Sequence, residues 1–141
     1  MNEILIIDEQ FALRRGLASI VMEKFPIIHI YQIDNSEAER FLKDHHNVDL
    51  IVFDPTATDR KLAFQEFTTL KALSPNSTFL LHSGYRHNEF DLPACLLAGA
   101  SGFLSKTASL SEYLLAASRL LKGKTYLNKR VRADLRIFHD K

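Results

Sequence analysis

The chain has 141 residues, of which 46% are hydrophobic and 25% charged, and its formal net charge is +1. These values are those of an average soluble protein with one ordinary domain, so they argue against a disordered chain, a membrane protein and a two-domain chain. Because its apolar runs are only a few residues long and its N-terminus lacks a signal-peptide pattern, we expect a cytoplasmic protein.

Five short apolar segments alternate along the chain with segments whose apolar residues recur at helical spacing. The strands are predicted over residues 4–7, 27–33, 50–53, 78–82 and 102–104, and the helices over residues 11–25, 36–45, 62–73, from about Pro93 to Gly99, and 110–122. Such alternation with short connections predicts a doubly wound α/β fold, in which a five-stranded parallel sheet carries helices on both faces.

Polar residues at two predicted helix starts support these boundaries. Ser36 stands three residues before Glu39, and Ser109 stands three before Glu112, which is the spacing of a capping box. The last segment, 124–141, holds six Lys and Arg residues against two Asp, with one apolar stripe at helical spacing. It is therefore either a sixth helix or a linker.

The third predicted strand leads directly into an acidic residue, Asp54. The run 50–53 is wholly apolar and Pro55 follows Asp54, which is typical of a strand that is covered on both faces. In an open α/β sheet the carboxyl ends of the strands line the ligand crevice, so Asp54 is a candidate site residue.

Three other predicted strands bring polar side chains to the same edge. Asp8 and Glu9 follow the first strand, Ser83 follows the fourth and Lys106 follows the fifth. Three carboxylates within a few ångströms, including Asp54, would repel by about 4 kcal/mol per close pair at an effective dielectric of about 20, so they require a cation or a raised pKa. Oxygen ligands with room left for water favour Mg²⁺ or Mn²⁺ over Zn²⁺.

These residues have the chemistry of a phosphoryl acceptor. A bound metal and Lys106 would each neutralise phosphoryl oxygens, while the Ser83 hydroxyl could donate to another. Asp54 would be the nucleophile, because carboxylates accept phosphoryl groups as aspartyl phosphates.

Five stretches, in this order, resemble the successive signatures of a response-regulator receiver domain over roughly residues 2–126. They are Ile-Leu-Ile-Ile-Asp-Glu ending at Glu9, Asp-Leu-Ile-Val-Phe-Asp ending at Asp54, Leu-Leu-His-Ser ending at Ser83, Ala-Gly-Ala-Ser-Gly-Phe-Leu-Ser-Lys ending at Lys106, and Ser-Leu-Ser-Glu ending at Glu112. The fourth stretch is followed by Thr107 instead of proline, which is similar to receivers of the NarL/FixJ type that precede helix-turn-helix output domains.

The resemblance implies a flavodoxin-like sheet with strand order 2-1-3-4-5 and transfer of a phosphoryl group from a sensor histidine kinase to Asp54. It also implies a site in which Mg²⁺ or Mn²⁺ is held by Asp8, Glu9, Asp54 and the backbone carbonyl of Thr56, and in which Ser83 and Phe103 form the switch pair beside Lys106. On this interpretation the chain is a phosphoacceptor rather than an enzyme.

The same resemblance implies a domain layout and partners. A receiver domain over residues 1–123 would be followed by the basic segment 124–141, leading to an output domain that is absent from this chain. We expect a homodimer that regulates transcription, contacts DNA only through that output domain and does not engage a membrane.

Two departures from the family pattern leave alternatives open. Where the family has a Met-Pro pair and then a glycine, this chain has Pro55-Thr-Ala-Thr-Asp-Arg-Lys-Leu62. The segment from Ser83 to Lys106 is one residue longer than usual, so Gly84 is an alternative occupant of the hydroxyl position. The altered loop favours, as a second hypothesis, a degenerate receiver that acts as a phosphorylation-independent interaction or dimerisation module.

A flavodoxin-like small-molecule binder is less favoured, because the turn after the first strand lacks the glycines and hydroxyls that cradle phosphate.

Overall fold

The computed structural model describes residues 3–26, 28–45, 48–55, 59–84 and 91–139. The strands are β1 (Glu3–Ile7), β2 (His29–Ile33), β3 (Leu50–Phe53), β4 (Thr78–Ser83) and β5 (Gly102–Ser105). The helices are α1 (Phe11–Lys24), α2 (Ala38–Asp44), α3 (Arg60–Leu73), α4 (Leu92–Leu97), α5 (Leu110–Leu121) and α6 (Lys129–His139), and a 3-10 turn over Asn35–Glu37 precedes α2. None of these helices has both the length and the apolar character needed to cross a membrane, among the residues described.

The strands form one parallel sheet in the order β2-β1-β3-β4-β5. The predicted α/β class and the strand order 2-1-3-4-5 are therefore confirmed. The alternation of apolar strand with amphipathic helix predicts this arrangement because each parallel crossover needs a helix to return the chain to the amino end of the sheet.

Each face of the sheet carries its own core layer. Ile51 and Phe53 of β3 belong to the layer that contains Phe67 of α3, whereas Leu50 and Val52 belong to the layer on α1 and α5. Every residue of β3 is buried, as expected for a central strand that is covered on both sides. The helices thus enclose the sheet faces and leave the carboxyl edge of the strands to the connecting loops.

The two capping boxes predicted from the sequence have different outcomes. The Ser109 hydroxyl accepts a hydrogen bond from the Glu112 amide at 3.3 Å, so this cap is confirmed. The cap at Ser36 is wrong, because the Asp34 carboxylate accepts a hydrogen bond from the Ser36 amide and starts a 3-10 turn before α2. The Asp34 side chain, which bonds to the backbone amide two residues ahead, thus takes the capping role expected of Ser36.

Aspartate side chains also cap α3 and α4. Asp59 accepts two backbone amide hydrogens, so α3 begins at Arg60 rather than at the predicted residue 62. Asp91 caps α4, and Pro93 lies in the first turn, where the missing amide hydrogen of proline leaves no bond unmade.

The basic segment after α5 packs against the sheet edge. The Phe103 amide donates to the carbonyl of Tyr126, and the Tyr126 amide donates to the carbonyl of Ser101. In the stretch for which the sequence left a helix or a linker open, residues 129–139 form α6, and Val131 is buried in the core layer of α3. The Phe138 side chain lies outside the part of the chain that is described.

Gly102→Ala should destabilise the protein, because a Cβ at this position would lie 2.3 Å from the Tyr126 carbonyl oxygen. We expect a loss of about 1–3 kcal/mol in the free energy of unfolding, measured by urea denaturation. Gly16→Ala is the matched control, since nothing lies within 4 Å of its Cβ and alanine favours the α1 helix. Equal stability of the two variants would contradict the close approach of the tail to β5.

Candidate functional site

The hydrogen-bond ladder of the sheet continues one residue beyond three of the strands. The Asp8 amide donates to the last carbonyl of β2 at 3.2 Å, and the Asp54 amide donates to the last carbonyl of β1 at 3.1 Å. The Lys106 amide bonds to the Ser83 carbonyl at 3.0 Å. These bonds fix the three backbones at the carboxyl edge, so their side chains emerge at the same place.

The Lys106 ammonium lies between two carboxylates. Its Nζ is 2.5 Å from Oδ2 of Asp54 and 2.9 Å from Oδ2 of Asp8. It also donates to Oε1 of Gln10 at 2.6 Å. Asp8 is only 2% exposed, so the lysine neutralises an acid that could not stay ionised in the interior without a partner.

Burial and charge act in opposite directions on these groups. Burial raises the pKa of Asp54 above its usual range, and the Lys106 ammonium only partly offsets this effect. Burial lowers the pKa of Lys106, but the hydrogen bonds and charges of Asp54 and Asp8 outweigh it, so the net pKa is raised. Lys106 therefore carries its positive charge at neutral pH. Burial disfavours the ionised form of Asp54, and the neighbouring Lys106 ammonium favours it.

Glu9 lies at the rim of the site. It is exposed and, with six other residues, lines a cavity of about 310 Å³, the others being Gln10, Asn35, Asp54, Pro55, Gly84 and Lys106. Within the described ranges, no three acidic, histidine or cysteine side chains are close enough to hold a metal ion. The predicted cluster of three carboxylates thus consists of one buried acid, Asp8, one half-buried acid, Asp54, and one acid at the rim, and Thr56 lies outside the described residues.

The oxygens present nevertheless fit a hard divalent cation. Oδ1 of Asp54 and Oδ2 of Asp8 are buried and have no hydrogen-bond partner within the described part of the chain, although the latter forms the ion pair with Lys106. Mg²⁺ keeps several waters and is commonly held by one or two carboxylates together with substrate phosphate. Two carboxylates beside an open cavity provide such a donor set.

Ser83 is the better placed of the two candidates for the hydroxyl position. It is fully buried at the end of β4, and a hydrogen bond from its side chain lowers the pKa of Asp54. Gly84 is exposed and has no side chain to donate. The extra residue between Ser83 and Lys106 therefore does not remove the hydroxyl from the site.

Phe103 lies inside the protein. It is 4% exposed and belongs to the core layer that also contains Leu81 and Val131. Leu81 is its partner in the register of β4 with β5, which puts Phe103 on the same face of the sheet as Ser83. The aromatic ring is thus buried in the core, on the side of the sheet that carries Ser83.

Sequence reasoning missed two polar residues at this edge. Gln10 contacts Lys106, and the Asn35 side chain donates to the backbone carbonyl of Asp54 at 2.7 Å. Asn35 was detectable in principle, because Asp34 and Asn35 follow the second predicted strand and so reach the same edge of the sheet.

A buried histidine is linked to the backbone of Lys106 through Tyr113. His82 of β4 is 1% exposed, and its Nε2 lies 2.8 Å from the hydroxyl of Tyr113. The Tyr113 hydroxyl also donates to the Lys106 carbonyl at 3.4 Å. Burial lowers the pKa of His82 to about 4, so the imidazole is neutral at pH 7 and adds no charge beside Lys106.

The sheet order and its acid–lysine edge define a CheY-like receiver fold, and comparisons with solved structures agree. A LuxR-family DNA-binding response regulator from Silicibacter pomeroyi is 27% identical, with a TM-score of 0.78 over 92% of this chain and 99% of that one. A CheY-like receiver domain protein from Methanospirillum hungatei is 18% identical, with a TM-score of 0.70 over 87% of this chain and 95% of that one. The resemblance to response-regulator receiver domains is therefore confirmed.

The isolated receiver domain of RcsB from Salmonella enterica serovar Typhimurium also matches, with 14% identity and a TM-score of 0.78 over 96% of this chain and 99% of that one. Among curated proteins, a Pseudomonas aeruginosa protein provisionally named as a transcriptional regulator is 29% identical over 123 residues, or 87% of this chain. The chain spans 58% of that relative's length. No protein-family model matches the chain.

Asp54→Asn should gain stability relative to the wild type as the pH rises. The folded protein holds the Asp54 proton more tightly than the unfolded chain, because its pKa is raised from 3.8. Wild-type stability therefore falls, relative to the variant, as the pH passes from 3.8 through the raised pKa, by about 1.4 kcal/mol for each pH unit between the two values. Urea denaturation of both proteins from acid to neutral pH measures this difference, and a difference that does not change with pH would contradict the raised pKa.

Proposed function

We propose that this chain is the receiver part of a cytoplasmic two-component response regulator. It accepts a phosphoryl group on Asp54 from a sensor histidine kinase and passes the signal to a transcriptional output domain outside this chain. The observation that carries the proposal is the Lys106 ammonium, which lies between the buried carboxylate of Asp8 and the half-buried carboxylate of Asp54 at the carboxyl edge of a CheY-like sheet. The Silicibacter relative, which is a DNA-binding response regulator, supports the proposed output.

The two oxygens of Asp54 suit different roles. Oδ2 is held by Lys106, whereas Oδ1 has no hydrogen-bond partner in the described ranges and is the proposed nucleophile. Oδ1 attacks the phosphorus of a phosphohistidine, the P–N bond breaks, and the imidazole nitrogen retains the electron pair and takes up a proton. The product is an aspartyl phosphate, so the chain acts as a phosphoacceptor rather than as an enzyme with a separate substrate.

The remaining residues neutralise the transferred group. Asp8 and Asp54, with Glu9 at the rim and the Thr56 carbonyl, would hold a Mg²⁺ or Mn²⁺ ion. The ion supplies positive charge to the phosphoryl oxygens. Lys106 would exchange its contact with Asp54 for a charge-assisted hydrogen bond to a phosphoryl oxygen.

The proposed switch uses Ser83 and Phe103. The Ser83 hydroxyl would donate to the new phosphate, which adds about −1.5 to −2 charge beside Lys106. Because Phe103 is already buried, we propose that phosphorylation stabilises this inward state rather than creating it.

Incubation with Mg²⁺ and acetyl phosphate should add one phosphoryl group to the wild-type protein, and Asp54→Asn should abolish the addition. Intact-mass spectrometry measures the product, and its lability to hydroxylamine identifies an acyl phosphate. Asp44→Asn is the matched control, because Asp44 is an exposed residue at the end of α2. Absence of uptake from acetyl phosphate and from histidine kinases would contradict the proposal.

A second candidate function is a dimerisation module that works without phosphate. One reason is that Lys106 already neutralises Asp8 and Asp54 in the absence of phosphate. Another is that leucines are exposed on α4 and α5, the helices that precede and follow β5 in the chain. Leu97 of α4 is 92% exposed, and Leu110 and Leu115 of α5 are 58% and 53% exposed. Apolar side chains of this size are a common basis for protein contacts.

The oligomeric state separates the two functions. A phosphate-independent module associates equally with and without Mg²⁺ and acetyl phosphate, whereas a phosphorylated switch changes its association when both are added. Leu97→Asp should abolish the contact in sedimentation velocity, and Leu62→Asp on α3, a leucine that is 53% exposed, is the control. Phosphate-dependent association would contradict the second candidate.

A further inference from the structure

Asn35 occupies a fixed position beside the site. The Asp34 carboxylate accepts a hydrogen bond from the Ser36 amide at 3.0 Å and so starts the 3-10 turn of which Asn35 is the first residue. The turn follows β2 directly, and β2 pairs with β1, which pairs with β3. The end of β2 thus brings Asn35 across β1 to the start of the loop after Asp54.

The chemistry of its contact fixes which way the Asn35 amide points. Nδ2 donates to the backbone carbonyl of Asp54 at 2.7 Å, and a carbonyl can only accept, so the nitrogen and oxygen cannot be interchanged. Oδ1 is then an acceptor, and it is buried with no hydrogen-bond partner among the residues that the structure describes. A buried amide oxygen without a donor is costly, which makes it a candidate for a ligand's contact.

A cation bound in the cavity beside Asp54 could make such a contact. Asn35 lines it together with Asp54, Glu9 and Lys106. Oδ1 of Asp54 and Oδ1 of Asn35 are both buried oxygens that lack a donor among the described residues. A neutral oxygen is suited to a site that already holds the carboxylates of Asp8 and Asp54, because it adds a ligand without adding repulsion.

We infer that Asn35 is a further ligand of the divalent-cation site, supplying its amide oxygen while its nitrogen holds the Asp54 backbone. The inference rests on the proposed function, since it needs a cation at this site. Asn35 would thus supply a metal ligand next to the loop after Asp54, whose sequence departs from the family pattern at residues 55–62. Asn35 is thus both a ligand and a positioning residue.

Metal binding by variants of Asn35 tests the inference without any measurement of phosphorylation. Asn35→Ala should weaken Mg²⁺ binding about tenfold in isothermal titration calorimetry, as removal of a metal-site partner commonly does. Asn35→Asp keeps an oxygen at the position but loses the amide donor to the Asp54 carbonyl, so it should bind Mg²⁺ more tightly than Asn35→Ala. Asn76→Ala is the control, because Asn76 is exposed in the turn before β4, at the opposite edge of the sheet.

A second measurement on the wild type protects the test against misfolding of a variant. Substoichiometric Mn²⁺ should broaden the side-chain amide signals of Asn35 in ¹⁵N-edited NMR spectra and leave those of Asn76 sharp. Wild-type affinity in Asn35→Ala, weakening of Asn35→Asp as large as that of Asn35→Ala, or sharp Asn35 signals would each overturn the inference. Absence of any Mg²⁺ binding to the wild type would instead overturn the proposed function, and the inference with it.

Discussion

The arrangement of Asp8, Asp54 and Lys106 is the constraint on which the rest of this site depends. Two carboxylates so close to each other repel, and the ammonium of the lysine offsets this repulsion at 2.5 Å from Asp54 and 2.9 Å from Asp8. Its position follows from the sheet, since the backbone amides of all three residues continue the ladder of hydrogen bonds. A parallel sheet thus concentrates charge at one edge, where the Lys106 ammonium contacts both carboxylates.

Much of this could be predicted from the sequence because the signals are local. The wholly apolar run before Asp54 predicts a central strand, and the strand order follows from the resemblance of the motifs. Asp8 and Lys106 could be placed beside Asp54 because parallel strands bring their carboxyl ends to one edge. Placing these side chains at one edge depends only on locating the end of each strand to within a residue or two.

The contacts that the sequence did not yield depend on side-chain direction. Asn35 reaches Asp54 only because a 3-10 turn, capped by Asp34, replaces the helix start predicted at Ser36. Gln10 contacts Lys106 across a separation of 96 residues, and no periodicity encodes such a pair. Glu9 and Asp8 are neighbours in sequence, yet one is exposed and the other buried, which the acidic pair itself does not reveal.

The segment after α5 is bonded and packed beside β5, the strand that leads to Lys106. Phe103 and Val131 share one core layer, and the backbone of Tyr126 is bonded to β5 on both sides of Gly102. Because close-packed interiors transmit a displacement rather than absorb it, any change in the Phe103 environment acts on α6 through this layer. Under the proposed function, a phosphate on Asp54 would alter the Ser83–Phe103 side of β5, and α6 is the element through which that change would leave the domain.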